Sequence, residues 1–145
     1  PTALKKSEAE WAIEKGAEQL DVAPNFFALN QEKTDIFAED LASICDLGVP
    51  VRVIINISDL SPSIISNAIE ASIDAGVEGI QTSNGFSKNI TNADIIQLKK
   101  LTKGRCSIKA VGGIKTLPHA IELIEAGANY IGTSFGRELM QELRE

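Results

Sequence analysis

Cysteine is scarce in this chain. Cys45 and Cys106 are the only two among 145 residues. They show no short pairing pattern, which argues against a disulfide scaffold and for a reducing compartment. Histidine is scarcer still: His119 stands alone. No second His, Cys or carboxylate is placed with it, so no metal site is expected. Aromatic residues make up only 5% of the chain. No apolar run approaches the ~20 residues that span a membrane. Positive charge is not in excess either. A net charge of −6 argues against bulk binding to nucleic acid, and acidic residues spread along helices read as a solvated face. No signal-peptide pattern is visible, but the chain opens at Pro1, which leaves a preceding segment open. These absences leave a cytoplasmic domain without a cofactor as the expectation.

What is present is repetition. Ala75-Gly76-Val77-Glu78-Gly79-Ile80-Gln81-Thr82-Ser83-Asn84-Gly85 matches Ala126-Gly127-Ala128-Asn129-Tyr130-Ile131-Gly132-Thr133-Ser134-Phe135-Gly136. A weaker copy runs from Lys15 to Val22. Each copy reads as a helix end, a Gly stop, a short strand and a loop. The repeat places Asp21, Gln81 and Gly132 at equivalent positions, each predicted to point into a shared site.

The patterning predicts helices over Lys5–Lys15, Asp35–Asp46, Pro62–Asp74, Asn92–Leu101, Leu117–Ala126 and Gly136–Arg144. It predicts strands over Gln19–Ala23, Val51–Ile57, Gly79–Thr82, Cys106–Ala110 and Tyr130–Thr133. Trp11, Ala12 and Leu4 are expected on the apolar side of the first helix. Strict alternation of strand and helix implies a parallel sheet with right-handed crossovers. The choice lies between an open doubly wound sheet and a (β/α)8 TIM barrel, and repetition of one βα unit favours the barrel. A complete barrel needs about 250 residues. Residues 1–145 are therefore expected to be the C-terminal part of a single barrel domain, supplying about the last five βα units, with about three N-terminal strands absent or supplied by another chain.

Ligands of a βα array sit at the carboxyl ends of its strands. Two signals lie there. Lys109 stands inside the apolar run Ile108-Lys109-Ala110-Val111-Gly112-Gly113-Ile114. A lysine in a buried strand is costly unless paired or deprotonated. Two readings of Lys109 stand side by side: an amine nucleophile or acid/base group, or a rim lysine that reaches solvent or pairs with Asp21. The second signal is glycine before helices, at Gly112-Gly113 and at Gly132 to Gly136. Exposed backbone N–H groups there suit a phosphate, with Ser134 and Lys115 as side-chain donors. The plainer reading is that these glycines only make tight turns. His119, Phe26-Phe27 and the two cysteines take structural readings: a solvent-facing ring, a site cover or loop packing, and buried small groups.

Taken in order, these segments resemble deoxyribose-phosphate aldolase, a class I (Schiff-base) aldolase family on a (β/α)8 barrel. The resemblance runs from about Lys6 to Gly136. It is carried by Leu20-Asp21-Val22, Arg52-Val53-Ile54-Ile55, Gly79 to Phe86, Ile108 to Thr116, and Ile131-Gly132-Thr133-Ser134. It implies cleavage of deoxyribose 5-phosphate to glyceraldehyde 3-phosphate and acetaldehyde. The family's Schiff-base lysine, in a Lys-Thr-Ser-Thr-Gly motif, aligns with Gln81. Its second lysine aligns with Lys109, its acidic proton-relay residue with Asp21, and its phosphate loops with Gly85, Gly112-Gly113 and Gly132 to Ser134. Val111, Asn56 and Asn84 also depart from the family pattern. An amide nitrogen is delocalised into its carbonyl and forms no iminium. The expectation is therefore a pseudoenzyme that keeps a sugar-phosphate pocket and binds a phosphorylated sugar or aldehyde, or a protein partner. The alternative is an aldehyde-lyase with Lys109 as nucleophile. The resemblance also implies a homodimer.

Overall fold

A computed structural model describes residues 2–31 and 33–144. Five strands carry the site: β1 (Leu20–Val22), β2 (Val51–Ile54), β3 (Gly79–Gln81), β4 (Ser107–Val111) and β5 (Tyr130–Gly132). They form one sheet in the order β1-β2-β3-β4-β5, every pair parallel. Helices α1 (Thr2–Glu14), α2 (Phe26–Asn30), α3 (Thr34–Cys45), α4 (Pro62–Asp74), α5 (Asn92–Thr102), α6 (Leu117–Ala126) and α7 (Gly136–Glu142) alternate with them.

Local chemistry sets the boundaries. Ser61 accepts the Ile64 N–H and Pro62 occupies the first turn of α4, where its missing N–H costs nothing. Thr91 and Asp94 form a reciprocal capping box at the start of α5, satisfying two N–H groups that the helix itself cannot. The repeated Ala-Gly pairs end α4 and α6.

One face of the sheet packs on the helices. Val51, Val53, Ile80, Ile108 and Ala110 are buried there. Opposite them lie Phe37, Leu41, Ile69, Ile95, Leu98 and Leu123 from the helices, each at most 1% exposed. Each large side chain so buried contributes roughly 1.5–3 kcal/mol relative to exposure. The other face carries Asp21, Arg52, Gln81, Lys109, Tyr130 and Gly132, alternating with the first set as the two-residue period of a strand requires.

That second face is concave. β1 and β4 are three strand spacings apart, about 14 Å on a flat sheet, with a further two-residue offset along the strands. Yet Lys109 Nζ lies 2.7 Å from Asp21 Oδ2, which only a curled sheet permits. The register shows the curl to be an arc of a barrel. Asp21, Arg52, Gly79 and Ser107 form one row of partners, Ile54, Gln81, Lys109 and Tyr130 the next, Val111 and Gly132 a third. In an eight-stranded barrel with a shear of eight, neighbouring strands are displaced by one residue on average. Two such steps separate β1 from β3 and β3 from β5, cancelling one row each time. Asp21, Gln81 and Gly132 therefore lie level, in one layer contributed by alternate strands. Arg52 and Lys109 fill the adjacent layer. The Asp21–Lys109 contact fixes the direction of tilt, because the opposite lean would separate the two by about five residue steps, roughly 16 Å.

Several boundaries differ from the sequence-based expectation. The first helix begins at Thr2 and buries Ala9, leaving Trp11 60% and Leu4 67% exposed. Its dock is ionic: Lys5 pairs with Asp40 on α3, donates to the Ala23 carbonyl at 2.9 Å, and is joined by Thr2 Oγ1 at 2.6 Å from Asp40. β2 stops at Ile54, and a single 3-10 turn follows at Ile57–Asp59. α2 was not anticipated. Asn25 caps it by accepting the Ala28 N–H, and one turn is too short to show a helical period. His119 is half-buried, its Nε2 3.1 Å from the Ile90 carbonyl. The cysteines are half-buried, and burial pushes both thiols above their usual range.

Candidate functional site

The site has a floor and a rim. The floor is the concave face of the sheet. Asp21 on β1 accepts from Arg52 Nε at 2.6 Å and from Lys109 Nζ at 2.7 Å. Burial pushes the Asp21 carboxyl up, but the hydrogen bonds from Arg52 and Lys109 and their two charges outweigh it. The carboxyl is held below its ordinary range, so it is a carboxylate at neutral pH. The Arg52 guanidinium also lies 5.4 Å over the Tyr130 ring, a cation–π distance. Asp21 and Lys109, singled out from sequence, are thus brought together. Of the readings of Lys109, the one observed is the pairing with Asp21.

Gln81 occupies the same layer as Asp21. It is 7% exposed, and its Nε2 donates to the Ser83 carbonyl at 2.8 Å. It stands directly opposite Lys109 in the β3–β4 register. Gly132 completes the layer. A Cβ there would stand 2.6 Å from Val111 Cγ2 and 3.2 Å from Lys109 Cε, so the absent side chain is what admits the Lys109 stem.

The rim is made of loops at the carboxyl ends of β3, β4 and β5. Gly85, Gly112, Gly113, Lys115, Gly132 and Ser134, expected as phosphate contacts, all line one cleft of about 360 Å³. The loops are held by short polar side chains. Thr82 Oγ1 donates to the Val111 carbonyl at 2.7 Å and accepts the Val111 N–H at 2.9 Å, stapling β3 to β4. Ser83 Oγ accepts the Gly85 N–H at 2.9 Å, and Asn56 Oδ1 accepts the Asn84 N–H at 2.9 Å. Thr133 Oγ1 accepts the Phe135 N–H at 3.0 Å. Gly113 has φ +67°, and a Cβ on it would fall 1.9 Å from Asn89 Oδ1. Lys115 Nζ sits 5.9 Å over the Phe135 ring at the cleft's edge.

A larger groove of about 420 Å³ runs between α1 and β1, lined by Ala9, Ala12, Leu20, Val22 and Ile44 among others. Its surface is mostly apolar, though Lys5, Glu8 and Asp21 also line it. The smaller cleft gathers glycine loops at the carboxyl ends of the strands, where ligands of a βα array sit, and that position favours the cleft. Among the described residues no group of three or more His, Cys, Asp or Glu is placed to hold a metal ion. Arg52 and Tyr130 had no role assigned from sequence. Arg52 stood among the strand-end positions that the sequence marked as relevant to the site, and an arginine within the apolar strand Val51–Ile54 is the same signal that marked Lys109; Tyr130 was missed.

No family model matches the chain. It is 41% identical over 142 residues to the deoxyribose-phosphate aldolase of Microcystis aeruginosa, covering 97% of this chain and 63% of that protein. It is 39% identical over 144 residues to that of Aquifex aeolicus, covering 97% and 66%. Among solved structures, the aldolase QR15 superposes with a TM-score of 0.95 at 37% identity, over 99% of this chain and 66% of the other. The deoxyribose phosphate aldolase of Aeropyrum pernix, a tetramer, superposes with a TM-score of 0.90 at 27% identity, over 100% and 63%. The chain spans just under two thirds of the length of the curated relatives it matches.

Proposed function

Because this chain belongs to the deoxyribose-phosphate aldolase family, we propose that it binds a phosphorylated sugar or aldehyde in the glycine-lined cleft without forming a Schiff base. The chain forms the C-terminal part of a barrel domain whose remaining βα units complete the wall. One observation carries the loss of covalent chemistry. At the third strand the layer presents an amide, Gln81, buried and tied to the Ser83 carbonyl. An amide cannot attack a carbonyl carbon and expel water to give an imine. The phosphate cradle is supported by Gly112, Gly113 and Ser134 at one cleft. Exposed backbone N–H groups of such loops receive anions.

A second reading has its own observation. Lys109 stands opposite Gln81 and touches a carboxylate, as a relocated nucleophile with a proton acceptor would. Borohydride trapping of the intact full-length protein with acetaldehyde or deoxyribose 5-phosphate separates the two. The expected result is no covalent adduct by mass spectrometry, while an active family member traps under the same conditions. An adduct on Lys109 would overturn the non-covalent reading and establish the lyase.

No described helix is long and apolar enough to cross a membrane. A cytoplasmic location is proposed from the family resemblance. A homo-oligomer is the proposed assembly.

A further inference from the structure

Asn84 precedes Gly85, and no other asparagine of the chain stands before a glycine. The backbone nitrogen of the following residue can attack a side-chain amide so placed. Glycine, without a Cβ, leaves that nitrogen unhindered. Both residues are exposed, and both line the glycine cleft. The loop that carries them follows β3, the central strand of the five, so the strands flanking it on either side belong to this chain.

The loop is held in a way that favours the attack. Three successive N–H groups are bound: that of Asn84 by Asn56 Oδ1 at 2.9 Å, that of Gly85 by Ser83 Oγ at 2.9 Å, and that of Phe86 by Asn84 Oδ1 at 3.0 Å. Because Asn84 Oδ1 reaches one residue past Gly85, the amide lies along the peptide whose nitrogen attacks. The Phe86 N–H also donates to the oxygen on which negative charge gathers as Cγ becomes tetrahedral. The Ser83 hydroxyl accepts the proton that the Gly85 nitrogen must give up. Asn56 fixes the backbone, so little ordering remains to be done at the moment of reaction.

We propose that Asn84 is a site of spontaneous deamidation, a slow covalent modification that places negative charge in the cleft. The Gly85 nitrogen bonds to Asn84 Cγ, the Cγ–Nδ2 bond breaks, and Nδ2 leaves as ammonia with the proton from Gly85. Water then opens the cyclic imide at either carbonyl. The product is aspartate or, with one more methylene in the backbone, isoaspartate. Either one sets a carboxylate on the lining of a cleft that the proposed function gives to phosphate. The effect on binding rests on that reading; the modification itself does not.

Ageing the intact full-length protein in mildly alkaline buffer, native and unfolded in guanidinium, tests this. Peptide mass spectrometry follows conversion at Asn84, and calorimetry follows binding of inorganic phosphate. Conversion is expected to run about tenfold faster in the native protein than in the unfolded chain, where the amide meets the Gly85 nitrogen only in passing. Ser83→Ala is expected to slow it. Aged protein and Asn84→Asp are expected to bind phosphate about fivefold more weakly than fresh protein, the scale of two like charges ~4 Å apart in water. Native conversion no faster than that of the unfolded chain would overturn the site. Fresh and aged protein that bind phosphate equally well would overturn the effect on the cleft. Fresh protein that binds no phosphate would overturn the phosphate reading and the effect drawn from it, while the mass readout still decides the modification. The comparison of native with unfolded wild-type chain does not depend on any variant folding.

Discussion

The floor of the site and its rim are built from different materials. The floor is held by charged side chains from strands far apart in sequence: Asp21 binds Arg52 on β2 and Lys109 on β4. The rim is held by backbone groups and small hydroxyl and amide side chains, some local, such as Ser83 with Gly85 and Thr133 with Phe135, and some reaching between strands, such as Thr82 with Val111 and Asn56 with Asn84. A rim made of backbone keeps its shape when side chains elsewhere change. A floor made of a few charges can lose or alter its chemistry at one position while the fold persists. Gln81 stands at such a position: the strand around it is intact and fully buried, while the residue itself, like Val111, Asn56 and Asn84, differs from what the resemblance implies.

Three substitutions sharpen the contrast. The largest effect is expected from Gln81→Lys. An amine in that layer should trap acetaldehyde under borohydride, giving an adduct at position 81 where the wild-type protein gives none. Absence of that adduct, with phosphate still bound, would mean that the floor has lost more than one group. Next is the rim. Gly113→Ala puts a side chain on a left-handed backbone and against Asn89. A cost of about 1–2 kcal/mol in urea unfolding is expected from the backbone, together with a drop of more than fivefold in phosphate affinity. Unchanged phosphate binding would detach the cleft from its proposed ligand.

The third concerns the floor's charge. Asp21→Asn leaves two cations facing one another without their carboxylate. The pair is partly exposed, its side chains 11–29% accessible, so the loss should be about 1–2 kcal/mol, less than for a fully buried pair. Phosphate affinity should change less than twofold. The variant should also flatten the acid limb of stability. The native Asp21 carboxyl is held below its ordinary value of 3.8. Its contribution is therefore complete above that value and is lost as pH falls below it, through the lowered native one. Urea midpoints measured from pH 6 downward should fall less steeply in Asp21→Asn than in the wild-type protein. Parallel curves would remove Asp21 from the account of acid stability.

Much of this was legible in the sequence, for identifiable reasons. α4 matches its expected span because Ser61, Pro62 and Gly76 punctuate it, each through local backbone chemistry. The inner-face trio was legible because a repeat aligns equivalent residues without knowledge of the sheet. What stayed hidden depends on distant partners. Asp40 sits at 2% exposure within α3, and no local pattern says that Lys5 will meet it. For the same reason the sequence left Trp11 either in the core or, were another chain to supply the missing strands, at an interface; it is exposed, and the ionic dock holds the side of Ala9 against α3. Arg52 was only a strand-end position without a partner until the curl of the sheet brought Asp21 and Tyr130 to it.

The one-residue stagger between strands has a consequence for descent. A repeating unit whose length follows the tilt delivers its equivalent residue to the same height wherever it stands around the ring. Position 21, position 81 and position 132 are then interchangeable seats around one ring. Changing the occupant of one seat requires a single codon and leaves the neighbouring units in register. A lineage built this way can explore new ligands one seat at a time, with the scaffold already inherited.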